Sequence, residues 1–169
     1  MKADIVPADG AKTKAVQIVR ATEVDIPFIM AMERLPANEG LVGCWEREQH
    51  KQAITDQGNA YFVGASEGTP VGFVIVQHWA SAHRATLIGR IIVADTGKKI
   101  GRELLSKVID TVFTETEALQ IWLNVHPSNE RAQRCYTAIG FRFEDRAKFP
   151  VAGESKMMLM ILQRTAWRH

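Results

Sequence analysis

The sequence is poor in the residues that mark metal sites, disulfide scaffolds and membrane spans. Its 169 residues include two cysteines, Cys44 and Cys135, far apart and in no Cys-x-x-Cys or Cys/His ligand spacing. That argues against a disulfide framework and a zinc site, and fits a reduced, cytoplasmic protein. No run approaches the roughly 18 apolar residues of a membrane span, and no apolar leader follows Met1-Lys2, so neither membrane insertion nor secretion is expected. The formal net charge of +2 is too small to point to nucleic acid. The P-loop pattern and the Gly-x-Gly-x-x-Gly dinucleotide fingerprint are both missing, which disfavours a nucleotide-binding α/β protein.

What remains is a chain with 46% hydrophobic and 24% charged residues, enough for one compact core. Residues 1–14 read as a flexible tail and 15–169 as one domain. Val16–Arg20 reads as a strand. A helix follows behind Thr22, with Glu23 and Asp25 in its first turn, and ends before Pro36. Trp45 to Asp56 is a second helix. Tyr61–Ala65 and Val71–His78 form a hairpin across Glu67-Gly68-Thr69-Pro70, and Thr86–Val93 is a fourth strand. From Ile100, apolar residues at 100, 104, 105, 108, 109, 112 and 113 keep to one helical face. Ile121–Val125 is a strand, Asn129–Ile139 a helix stopped by Gly140, and Phe141–Arg146 and Met157–Gln163 are the last strands. Hairpins first, then strand–helix–strand, predict an α/β (α+β) fold: a mixed sheet with helices on its faces.

Between the fourth strand and the long helix lies Thr96-Gly97-Lys98-Lys99-Ile100-Gly101-Arg102. The first turn of a helix has N–H groups without internal partners and a partial positive charge, and nearby glycines let backbone approach a ligand. With Lys98, Lys99 and Arg102 this suits a diphosphate. An ordinary turn with solvated lysines fits the loop equally well.

The segment Ile121-Trp122-Leu123-Asn124-Val125-His126-Pro127-Ser128-Asn129, running on to Tyr136 and Gly140-Phe141, resembles the GNAT superfamily of N-acetyltransferases at Asn129, Ala132, Tyr136, Gly140 and Phe141. The family's pyrophosphate loop falls on Thr96 to Gly101, and the two motifs come in family order. Departures are Thr96 for the first Arg/Gln, Lys99 for a Gly, Asp95 for a frequent Pro, and Asn124 where related enzymes often carry a Glu base.

The resemblance implies a mostly antiparallel seven-stranded sheet with about four helices, splayed between strands 4 and 5. It implies acetyl-CoA as cosubstrate and no metal. Ile91, Ile92 and Val93 would pair with the pantetheine, and Thr96, Gly97, Lys98, Lys99, Ile100, Gly101 and Arg102 would hold the diphosphate. Asn129 would bond the pantetheine or the start of its helix. Tyr136 would be the general acid, although a core aromatic explains its position too. The base is open among Glu33, Glu39, His78 and His83, acting through water; each also reads as a solvated surface group. Cys135 reads as a buried structural thiol rather than an acetylated nucleophile. Trp45 and Trp79 read as packing residues, with an acceptor pocket as the alternative. The implied reaction is acetyl transfer by direct attack of a primary amine, on a small molecule or a protein N-terminus. A non-catalytic acyl-CoA-binding module of the same fold is the alternative. Family members often dimerise, so a homodimer is compatible.

Overall fold

A computed structural model of the chain describes residues 15–96 and 99–167. The tail expected over 1–14, and Gly97 and Lys98 of the loop, lie outside the described residues. Seven strands form one sheet in the order β1-β2-β3-β4-β5-β7-β6. They are β1 (Gln17–Arg20), β2 (Asn59–Ser66), β3 (Thr69–Gln77), β4 (Ala85–Val93), β5 (Gln120–Val125), β6 (Arg142–Glu144) and β7 (Met158–Gln163). The α-helices are α1 (Ile26–Glu33), α2 (Arg47–Thr55), α3 (Ile100–Glu115) and α4 (Glu130–Ile139). All neighbouring strands run antiparallel except β4 and β5. The expected architecture is therefore present, including its mixed character.

Local chemistry accounts for the main elements. Glu67 (φ 51°) and Gly68 (φ 77°) close the β2–β3 hairpin between the paired Ser66 and Thr69, the left-handed two-residue turn that matches strand twist. The α3 stripe is buried as its periodicity requires, from Ile100 to Phe113, against β1, β3 and β4. It joins the larger core with Phe62, Val74, Ile121, Leu123, Met160 and Leu162. On the other sheet face α1 and α2 cover Tyr61, Val63, Phe73, Ile75 and Ile92. A third cluster sets Trp122 against Phe149, Leu159 and Ile161.

Two sequence expectations shift. The helix predicted behind Thr22 starts as a single tight turn over 23–25, with Thr22 N and the Asp25 carboxylate 2.8 Å apart, before α1 proper. The strand expected over 141–146 keeps only three residues, because Phe141 turns into the core and Asp145 caps the next turn through Ala147 N–H.

Candidate active site

β4 and β5 pair over only four positions, from Ala85↔Gln120 to Ile88↔Leu123. Beyond that point β4 is bonded to β3 alone, and Asn124 and Val125 of β5 to β7 alone. The divergence begins at a β-bulge. Ile75 faces Arg90 and Val76 faces Ile88, so Gly89 has no partner. A bulge bends its strand and raises its twist, here steering β4 away from β5. Glycine leaves room there for the Gln77 side chain, whose oxygen would lie 2.5 Å from a Cβ and would have to move for any other residue.

The split sheet holds a cavity of about 680 Å³. One flank of β4, from Gly89 on, thus offers backbone donors and acceptors with no strand to receive them. Ile91, Ile92, Val93, Thr96, Lys99, Gly101, Arg102 and Asn129 all line the cavity, whereas Ile100 is buried in the core. Lys99 precedes α3 in the left-handed region (φ 61°), so the loop makes its turn there without the glycine the family pattern has. Asn129 caps α4, its side-chain oxygen accepting from Ala132 N at 3.2 Å. Arg131, in the first turn of α4, reaches back to the Thr96 carbonyl and adds a cation beside Lys99 and Arg102. No local sequence pattern marks Arg131; only the docking of α4 on the loop reveals its place.

Tyr136 and Cys135 face the same cavity from α4. The Tyr136 ring packs on Phe141 with centroids 6.0 Å apart, while its hydroxyl makes no hydrogen bond to any described residue. Burial, and to a smaller degree Cys135, push its phenol above the ordinary tyrosine range, so it stays protonated. Burial also raises the Cys135 thiol, against the pull of Arg102 and Arg131. A thiol held protonated is a poor nucleophile, in keeping with a packing role.

None of the base candidates lines the cavity. Glu39, His78 and His83 are exposed elsewhere, His78 with its ring edge on Trp122 at 6.0 Å. Glu33 is 1% exposed and its carboxylate is fully engaged. Oε1 accepts from Arg90 Nη1; Oε2 accepts from Trp45 N at 3.2 Å and meets His50 Nε2 at 3.1 Å. Tyr61 O–H and His50 Nδ1 are 3.0 Å apart. Burial is the main force pushing the Tyr61 phenol up to about 12, so the hydroxyl keeps its proton. The Glu33 carboxylate can only accept, so His50 Nε2–H donates to it. The result is a buried chain Tyr61–His50–Glu33–Arg90 that ties α1, α2, β2 and β4 together. Trp45 stacks on it, with the Arg90 guanidinium 4.9 Å from its ring centroid. Trp79 packs on Phe62 and Arg20. Neither tryptophan lines the cavity.

Arg90 does line it, with Asn38, Asn124 and His126. Asn124 Oδ1 accepts from Arg146 Nη2 at 2.6 Å. His126 Nδ1 lies 3.1 Å from Ser128 N and 2.7 Å from Ser128 Oγ.

A sheet opened at its one parallel pair, with a basic helix-start loop at one end of the gap and a free phenol beside it, defines an acyltransferase of the acetyl-CoA type. The family model described as the acetyltransferase (GNAT) family matches residues 27–141, and the chain belongs to that family of acetyl-CoA-dependent N-acetyltransferases. Solved structures share the fold. One is the aminoglycoside acetyltransferase AAC(6')-Ib in complex with coenzyme A and kanamycin (TM-score 0.74, 18% identity, 90% of this chain and 96% of that one). Another is spermidine N-acetyltransferase from Vibrio cholerae in complex with CoA and spermine (TM-score 0.74, 20% identity, 89% and 96%). No curated protein sequence matches.

Proposed function

We propose that the chain moves an acetyl group from acetyl-CoA to a primary amine of a small molecule, by direct attack with both substrates in the cavity. The observation that carries this reading is the gathering of three features in one space: the free β4 flank, the Lys99–Arg102–Arg131 cluster and the unbonded Tyr136 hydroxyl. The neighbours that bind kanamycin and spermine support a small-molecule acceptor.

The residues present fit the cosubstrate. Lys99, Arg102 and Arg131, with the first-turn N–H groups of α3, suit a diphosphate. The β4 flank from Gly89 to Val93 suits an extended amide-bearing arm. Acetyl-CoA supplies an electrophilic thioester carbonyl. The amine nitrogen forms the new C–N bond there, the C–S bond breaks, and the sulfur takes the electron pair. A free β4 N–H stabilises the developing oxyanion. Tyr136 offers the departing sulfur a hydrogen bond. A thiol has a pKa of about 8.5, below that of the Tyr136 phenol, so the phenol keeps its proton on balance. With no carboxylate in the described lining, the amine loses its protons to water.

Isothermal calorimetry with acetyl-CoA, followed by transfer assays on an amine panel, tests this; a folded protein that binds no acetyl-CoA overturns it. The pH profile is a sharper check. An alkylamine with a pKa of about 10.4 is less than about one part in a thousand neutral at pH 7, so kcat/KM is expected to climb about tenfold per pH unit. Tyr136 imposes no descending limb below pH 10, because its burial delays ionisation. A fall between pH 7 and 9 would assign the hydrogen bond to the sulfur to another group.

Lys99→Gly separates the backbone contribution of the loop from its charge. Glycine removes the left-handed penalty of a Cβ, a gain of about 0.5–1 kcal/mol in unfolding free energy after its own entropy cost. Acetyl-CoA affinity is expected to fall and to lose part of its salt dependence. An unchanged salt dependence would mean that Lys99 acts through its main chain alone.

A further inference from the structure

The cavity is one-sided in charge. Among the described residues its lining includes Lys99, Arg102, Arg131 and Arg90, and not one Asp or Glu. The first three sit at the α3 and α4 starts and are accounted for by the diphosphate. Arg90 lies apart from them, against the segment between α1 and α2, where a Cβ at Gly43 would be 2.9 Å from Nη2. It is held rather than free. Glu33 grips Nη1 and the guanidinium sits over the Trp45 ring, so the rest of its N–H fork has a fixed direction. Glu33 itself cannot serve an incoming cation, because it is buried behind Arg90 with both oxygens engaged.

Asn124 adds a second donor. Its amide oxygen is taken by Arg146, so the free part of its amide is the NH2 group. An acceptor entering here meets a guanidinium and amide N–H groups, with no acid to balance a second ammonium. Polycations such as kanamycin and spermine, which the structural neighbours bind, find no counter-charge. We propose that the acceptor of this enzyme carries a carboxylate near its amine, as an amino acid does, and that this carboxylate docks on Arg90 and Asn124. The proposal rests on the acetyl-transfer reading above.

The test compares amino acids with their own carboxamides, and with diamines of similar length, as acceptors for the intact enzyme. The carboxylated amines are expected to win by about tenfold or more in kcat/KM, the scale of one charge-assisted hydrogen bond. They should win even though the carboxamides hold a larger fraction of neutral amine. Arg90→Gln is expected to erase that preference through acceptor KM. Because Arg90→Gln strands Glu33, Asn124→Asp serves as the second variant. Its new carboxylate keeps Arg146 as a partner, and the preference should shift toward diamines. Equal or better turnover of carboxamides or diamines by the wild type overturns the proposal. So does acetylation of other amines without acetylation of any carboxylated one; in both cases the acetyltransferase reading stands. Failure to bind acetyl-CoA removes that reading, and the proposal with it.

Discussion

Glu33→Ala is expected to lower the unfolding free energy by about 3–5 kcal/mol, the cost of breaking a buried ion pair from one side. Glu33 is 1% exposed and its side chain meets Arg90, His50, Arg34 and the Trp45 amide. Removing it leaves a guanidinium with one-tenth of its side chain exposed and no anion beside it. It also leaves the His50 Nε2–H without an acceptor, although that ring is wholly buried. Domains of this size are stable by only about 5–15 kcal/mol, so the variant sits near the edge of folding. Urea denaturation reads the effect as a lower midpoint with unchanged slope. Glu33→Gln, which keeps an acceptor but not the charge, should fall between wild type and alanine. Glu39→Ala, exposed and outside the network, should leave the midpoint where it is. If Glu33→Ala proved as harmless as Glu39→Ala, the network would not be a structural anchor.

The same network sets an alkaline limit. The native fold holds the Tyr61 proton until about pH 12, whereas an unfolded chain releases it near pH 10. Its contribution to stability is complete below pH 10 and is lost as the pH rises toward 12.

How legible these features are in the sequence depends on how local their causes are. The α3 face could be read because a single period of 3.6 residues governs Ile100 to Phe113. The long Asn129-to-Tyr136 motif could be read because capping and packing act within one helix. β4 could not be read to the same depth. Strict alternation would put Ile88 and Ile92 on one face, but the extra residue at Gly89 places Ile88 in the α3 core and Ile92 under α1. That phase change is also what separates β4 from β5 and aims Arg90 into the cavity. Glu33 reads as a surface charge because its partners stand 17 and 57 positions away, at His50 and Arg90. No pattern around residue 33 records them. The acidic base sought by analogy with Asn124's position is a case of the same kind. The residue there is tied to Arg146, 22 positions on, and presents a donor.

Tyr136→Phe is expected to cut kcat by about 100-fold while leaving acetyl-CoA affinity within about twofold, the pattern of a group that acts on the leaving sulfur and not on ground-state binding. The substitution is clean in structural terms. The ring keeps its packing against Phe141, and the hydroxyl has no partner among the described residues whose loss would disturb the fold. A tyrosine present only to fill the core would give the opposite result, since phenylalanine fills the same volume and turnover would persist. The size of the loss also separates two ways of helping the thiolate leave. Full proton transfer would require an acid near the thiol's own pKa of about 8.5, and burial has moved Tyr136 in the other direction. A hydrogen bond that strengthens as charge gathers on sulfur needs no such match, and removing one such donor from a catalytic site costs about 100- to 1000-fold. A leaving group of lower pKa should therefore shrink the difference between the wild type and Tyr136→Phe. Acyl-CoA analogues that release a more stable anion, assayed against both proteins, should show the gap narrow as the thiolate's need for help declines. A gap that stays constant across such analogues would place Tyr136 in orienting the substrate instead.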